Sequence, residues 1–251
     1  TMNNYEKLEG MVAATFTPLD ENGDVNLSVI DKYADWIAST PIKGVFVCGT
    51  TGEFSSLTID ERKLILEKWL VSARKRFKVI AHVGSNCQRS AMELARHAAQ
   101  VGADAIASIA PSFFKPGTVD ELVDFFAPIC HSAAGLPFYY YNMPSITGVN
   151  LPVDKFLVEG KKKIPNLVGT KFTHNNLMEM GVCIELEQHR FEVLHGYDEI
   201  LISGLAMGAV AGVGSTYNYI PNVYQAIFDS MKMNDLETAR HNQIKSIRTV
   251  E

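Results

Sequence analysis

Short apolar, β-branched runs alternate with longer amphipathic stretches along this whole chain, and that rhythm excludes most folds before any motif is considered. The runs predict strands near 11–17 (MVAATFT), 44–49 (GVFVCG), 78–84 (KVIAHVG) and 104–109 (DAIASI). Four more fall near 137–142 (PFYYYN), 167–172 (LVGTKF), 192–196 (EVLHG) and 209–215 (AVAGVGS). Most are continuously apolar rather than strictly alternating, as parallel strands covered on both faces must be. Between them, 27–39, 59–76, 89–101 and 119–133 carry apolar residues at helical spacing. Thr58, with Glu61 three residues on, predicts a capped helix start. Eight strand–helix units in alternation fit a closed (β/α)8 TIM barrel, with an open doubly wound sheet as the alternative α/β layout.

No Gly/Ser-rich linker, low-complexity tract or charge block divides the chain. The reading is therefore one barrel domain over 1–232, followed over 233–251 by the start of a C-terminal helical region. The last amphipathic pattern, LETARHNQIKSIRTV, stops without a cap or partner. The expectation is that most of a helical extension is absent from this stretch.

At 251 residues and 47% hydrophobic, the chain can bury a large core. Its formal charge of −5 argues against a nucleic-acid surface or a basic membrane anchor. Nothing approaches the about 18 uninterrupted apolar residues of a membrane span. The start, from Thr1 to Glu6, lacks the basic and apolar regions of a signal peptide. Cys48, Cys87, Cys130 and Cys183 lie far apart without metal-ligand spacing, and read as isolated thiols in a reducing compartment. The seven histidines show no H-E-x-x-H pattern either. The expectation is a soluble cytoplasmic protein acting on a small molecule, with no metal, organic cofactor, nucleic acid or membrane.

In a barrel, chemistry gathers on the loops at the C-terminal ends of the strands. Gly49-Thr50-Thr51-Gly52-Glu53 follows the second strand, and Tyr141-Asn142 ends the fifth. Lys171 and Thr173 end the sixth, Gly196-Tyr197-Asp198-Glu199 follows the seventh, and Gly214-Ser215-Thr216 ends the eighth. Lys171 is the odd residue of an apolar strand. It reads either as a strand-end lysine with its amine in water, or as a desolvated neutral amine able to attack a ketone. Strand alternation sets Tyr139 and Tyr141 on one face and Tyr140 on the other. The G-T-T-G-E turn offers hydroxyls and backbone N–H groups to a carboxylate, or is simply a capped strand-to-helix turn. Gly212–Ser215 suggests a phosphate site, a reading weakened by the lack of a nearby Lys or Arg. His195 reads as packed or solvated, and Lys161-Lys162-Lys163 as a solvated helix end.

The motifs G-T-T-G-E, Y-N-M-P, G-x-K-F-T and G-S-T-Y-N, in this order, resemble the superfamily of N-acetylneuraminate lyase and dihydrodipicolinate synthase, the class I pyruvate aldolases. The likeness runs from about Leu8 to the end of the chain. It implies a (β/α)8 barrel with extra C-terminal helices, usually a homotetramer, of which this sequence holds few of the helices. By motif, Lys171 matches the Schiff-base lysine and Tyr141 the catalytic tyrosine. Thr50 and Thr51 match the pair that holds the pyruvate carboxylate. The synthase carries an arginine where this chain has Ile146, and an apolar side chain cannot bind that enzyme's acidic second substrate. The G-Y-D-E loop instead resembles the lyase, which implies that Gly196, Asp198 and Glu199, with Thr173 and Ser215, bind sugar hydroxyls. Phe113 and Phe114 stand where many relatives have a relay tyrosine. The activity implied is reversible cleavage of N-acetylneuraminate to N-acetylmannosamine and pyruvate, with no cofactor. Another pyruvate aldolase, acting on keto-deoxy sugar acids or as the synthase, is the alternative, and a non-catalytic sugar- or pyruvate-binding barrel a more distant one.

Overall fold

The computed structural model describes residues 5–251, so the reading made of Thr1–Asn4 lies outside the described residues. Eight parallel strands close a barrel in sequence order. They are β1 (Gly10–Ala14), β2 (Gly44–Val47), β3 (Lys78–His82) and β4 (Ala105–Ile109). The ring continues with β5 (Phe138–Asn142), β6 (Leu167–Phe172), β7 (Glu192–His195) and β8 (Ala211–Gly214). It shuts where Gly10 pairs with Ala211 and Val12 with Val213. The barrel, rather than the open sheet, is the architecture.

Helices α1 (Val29–Ala38), α2 (Ile59–Ala73), α3 (Gln88–Val101) and α4 (Val119–His131) follow the first four strands in turn. The short α5 (Pro144–Thr147) and then α6 (Val153–Lys163) follow β5. After β6, β7 and β8 come α7 (Leu177–Glu185), α8 (Leu201–Ala206) and α9 (Pro221–Lys232). The last helix, α10 (Leu236–Val250), packs on α9 and α8 through a face that buries Ala239, Asn242, Gln243 and Ser246. No described helix is long and apolar enough to cross a membrane.

The strand composition follows from burial on both faces. Outward side chains such as Val45, Val79, Ile106, Phe138 and Tyr140 join the helices in one large core. Inward ones, including Val12, Phe46, Ile80, Ala107, Tyr139, Tyr141, Leu194 and Val213, fill the lumen as a second core. Tyrosines interleaved with alanines pack that lumen solid, so it is not a pore. The tyrosine run splits as strand alternation requires, with Tyr140 outside and its neighbours inside.

One irregularity decides where the lysine points. β5 and β6 pair Phe138 with Leu167 but Tyr139 with Gly169, so Val168 is skipped. A one-residue shift exchanges the faces of every side chain beyond it. The shift sets Lys171, rather than Thr170, level with Tyr141. Thr170 instead is buried and donates its hydroxyl proton to the Tyr140 carbonyl at 2.7 Å. Gly169 makes the close strand approach possible, because a Cβ there would strike the Glu192 backbone.

Thr58 caps α2 in a capping box with Glu61, as its spacing predicts. That helix stops at Ala73, short of the predicted 76, because Arg74 and Lys75 turn left-handed, with φ 48° and 58°. β1 likewise ends at Ala14 rather than 17. Thr15 and Thr17 donate their hydroxyls to the carbonyls of Phe46 and Gly52 and leave the ladder.

Candidate active site

The five strand ends converge on a cavity of about 310 Å³ at the C-terminal mouth of the barrel. Its lining includes every residue to which the resemblance assigns a catalytic or binding role: Lys171, Tyr141, Thr50, Thr51, Thr173, Gly196, Asp198, Glu199 and Ser215. Larger clefts, of about 600 and 1040 Å³, lie at the other end of the strands around Glu6, Lys78 and Asp104. The smaller cavity is the candidate, since barrel chemistry sits at the C-terminal ends and, of these three, it is the one that gathers convergent reactive groups.

Lys171 is 4% exposed near the end of a strand buried throughout except at the half-buried Val168. Its Nζ lies 3.9 Å from the centroid of the Tyr141 ring and 4.2 Å from that of Phe46. The side chain therefore points into the lumen mouth, and the strand-end lysine reaching to bulk water is excluded. The Tyr141 hydroxyl stands 3.0 Å from Thr50 Oγ1 and also reaches the Met143 sulfur at 3.2 Å. Lysine, phenol and threonine thus form one continuous group drawn from three strands.

The turn that carries Thr50 is held in an unusual backbone shape. Cys48 is left-handed at φ 56° and Glu53 at φ 57°, conformations that cost non-glycine residues energy unless the surroundings enforce them. His82 supplies part of that enforcement, though nothing in its sequence context had marked it. Its Nε2 is 3.2 Å from the Ile109 N–H, which makes that nitrogen the acceptor. Nδ1 then carries the proton and donates to the Cys48 carbonyl at 2.7 Å. Burial first, and the Arg62 guanidinium second, push this imidazole well below the ordinary histidine range. The signal that could have found it is a polar residue ending the lumen face of β3, in A-H-V-G.

The carboxylates Asp198 and Glu199 follow the seventh strand, and Asp198 is held by the end of the eighth. Asp198 is 5% exposed, and its Oδ2 accepts from the Thr216 amide at 3.0 Å and the Thr216 hydroxyl at 2.6 Å. Its Oδ1 has no hydrogen-bond partner among the described residues. Burial, opposed by the bonds from Thr216, raises this carboxyl from 3.8 to about 6. Gly214 makes room for it, since a Cβ there would collide with the carboxylate. Gly214, the last residue of β8, therefore accommodates a carboxylate, and its charge repels a phosphate from the place where the sequence suggested one. Thr173 Oγ1 is buried without a hydrogen-bond partner among the described residues and lies against Gly196.

Several sequence candidates lie elsewhere. His195 is fully buried, packed against Gly204 on the helical side, with Nε2 2.6 Å from the Tyr197 carbonyl. Phe113 and Phe114 stack edge to face at 78% and 87% exposure, outside the cavity lining. Ile146 is also exposed on α5, whereas its neighbour Ser145, which the sequence did not mark, lines the cavity with Met143. Among the described residues, no three His, Cys, Asp or Glu side chains converge to hold a metal ion.

The fold and site together define a (β/α)8-barrel protein with a buried lysine and tyrosine in its mouth. The chain belongs to the dihydrodipicolinate synthetase family, which it matches over residues 7–250. It is 42% identical to N-acetylneuraminate lyase of Mus musculus over 248 residues, covering 98% of this chain and 78% of that protein. It is 44% identical to N-acetylneuraminate lyase of Gallus gallus, covering 96% and 80%. The solved Proteus mirabilis N-acetylneuraminate lyase superposes with a TM-score of 0.94 at 36% identity, covering 96% of this chain and 82% of that one. The resemblance carried by the four motifs is thereby borne out.

Proposed function

We infer that this chain is a class I aldolase that cleaves N-acetylneuraminate reversibly to N-acetylmannosamine and pyruvate through a Schiff base on Lys171. The observation that carries the reading is the Lys171 amine over the Tyr141 ring at 3.9 Å, in one cavity with Asp198 and Glu199. The likeness to the mouse and chicken N-acetylneuraminate lyases supports the substrate.

Lys171 attacks the C2 ketone of the open-chain sugar acid and expels water, giving a protonated imine. Thr50 and Thr51 hold the substrate carboxylate by hydroxyl and backbone donors. The Tyr141 oxygen receives the C4 hydroxyl proton while its own proton passes to that carboxylate. The C3–C4 bond then breaks, its electrons neutralise the imine as an enamine, and N-acetylmannosamine leaves as the aldehyde. Protonation at C3 and hydrolysis return pyruvate and the free lysine. The protonated imine is the electron sink, so this route calls for no metal or organic cofactor. Asp198, Glu199, Thr173, Ser215 and the space at Gly196 receive the hydroxyl-bearing part, since carboxylate acceptors suit a polyol and repel an acidic tail. The exposed, uncharged Ile146 supports the same preference over a second acidic substrate. The homotetramer and the cytoplasm belong to the same reading. The four free cysteines are in keeping with a reducing compartment.

The test is pyruvate release from N-acetylneuraminate, assayed beside Lys171→Ala. The expected result is turnover by the protein and a loss of about 10³-fold or more in the variant. Equal rates in the two would remove the reading.

A further inference from the structure

A buried run of hydrogen bonds leads from the last helix to the cavity, and the reaction scheme above leaves it unused. Ser246 of α10 lies with its Oγ 2.7 Å from the Tyr224 hydroxyl of α9. That hydroxyl bonds in turn to Thr216 Oγ1, and Thr216 Oγ1 stands 2.6 Å from Asp198 Oδ2. Gln243 of α10 donates to the Asp198 carbonyl at 3.0 Å and to Ser246 Oγ at 3.3 Å, while its Oε1 accepts the Ile202 N–H at 2.9 Å. Tyr224 and Ser246 are wholly buried, and Thr216 and Gln243 nearly so.

Donor counting fixes the direction of this chain. An ionised carboxylate only accepts, and each hydroxyl has a single proton to give. Thr216 directs its proton to Asp198, so it must accept from Tyr224. Tyr224 directs its proton to Thr216, so it must accept from Ser246. All the protons point toward Asp198, an arrangement in which successive bonds polarise one another. Burial holds the Tyr224 phenol up at about 12, which keeps it a donor. At the far end Asp198 lines the cavity, with its Oδ1 buried against Gly214 and without a hydrogen-bond partner among the described residues.

We propose that Ser246, Tyr224 and Gln243 are positioning residues, which fix the Asp198 carboxylate so that its unpaired oxygen meets a hydroxyl of the sugar half of the substrate. Naming the sugar rests on the function proposed above; the orientation of Asp198 does not. A seam between two helices is filled at least as well by apolar side chains, so four buried polar groups in register call for a role beyond packing. The same network ties Asp198 to the chain's last helix, some 45 residues away by the Gln243 contact.

Two measurements on Tyr224→Phe, with Ser246→Ala as a second and smaller change, test this. The first is a carbon-13 carboxyl titration of Asp198. The charged groups acting on that carboxyl are Glu199, which raises it, and Lys171, which lowers it; the Tyr217, Tyr219 and Tyr224 phenols face it too. All but the Tyr224 hydroxyl persist in the variant. Loss of that donor is expected to move the Asp198 midpoint up by about half a unit or more. The second is the KM–kcat split: KM for N-acetylneuraminate rises about fivefold while kcat and borohydride trapping with pyruvate stay within about twofold. An Asp198 midpoint that stays put in both variants overturns the proposal, as does a loss of pyruvate trapping that parallels the loss in KM. Should the unaltered protein fail to cleave N-acetylneuraminate, the functional reading falls, and the titration alone still decides the positioning role.

Discussion

The two ends of the seventh strand each bury a carboxylate, and they treat it differently. At the barrel floor, Glu192 Oε1 accepts the Leu8 amide at 2.9 Å and the Tyr139 hydroxyl at 3.1 Å, closing the lumen. At the mouth, Asp198 has one oxygen held twice by Thr216 and the other buried against Gly214 with no partner among the described residues. Burial pushes both carboxyls up, so desolvation alone does not tell a structural carboxylate from a binding one. The unfilled acceptor does. A buried polar atom without a partner is costly, and it persists where a ligand completes it.

That contrast predicts activity effects at the mouth and stability effects at the floor. The largest change is expected for Gly214→Ala, whose Cβ would drive into the Asp198 carboxylate. kcat/KM for N-acetylneuraminate should fall about 10- to 100-fold, with trapping by pyruvate retained. Unchanged kinetics would mean that the Asp198 position is irrelevant to the sugar.

A smaller effect follows from pH. Because the Asp198 carboxyl titrates at about 6 rather than 3.8, it takes up its proton first as pH falls. The folded state then binds more protons than the unfolded state between those values. This group's contribution to stability therefore rises on acidification, while its ability to accept a hydroxyl proton declines. KM is expected to climb about threefold to tenfold from pH 7 to 5, with that component missing in Asp198→Asn. An identical profile in the variant would assign the titration to another group.

The least effect on activity belongs to the floor. Glu192→Ala strands the Tyr139 hydroxyl and the Leu8 amide and leaves a void. A loss of about 2–4 kcal/mol is expected, or a Tm drop of roughly 4–12 °C, with kcat/KM within about twofold. Glu192→Gln keeps the acceptor oxygen and should melt close to the unaltered protein. A floor substitution that removed activity without touching Tm would break the comparison.

The parts of this molecule legible in the sequence are those set by local pattern. Eight apolar runs gave eight strands, and reactive residues just after them gave the cavity lining, because barrel geometry sends strand ends to one mouth. The hidden parts depend on contacts across the chain. The skipped Val168 that turns Lys171 inward is a property of the β5–β6 pairing and leaves no mark in either strand alone. His82 passed unnoticed because its significance lies in holding the left-handed Cys48, 34 residues earlier. Met143 and Ser145 reach the cavity through the short helix turn after β5, which carries no strand or helix periodicity of its own.

The proposed cleavage depends on the amine of Lys171 reacting as a nucleophile inside the mouth. The most direct measurement is the intact mass after incubation with pyruvate and borohydride, with the modified residue located by peptide mapping. One reduced pyruvate adduct per chain is expected, on Lys171, and none in Lys171→Ala. A folded protein that gains no adduct, or carries it on another lysine, would contradict it.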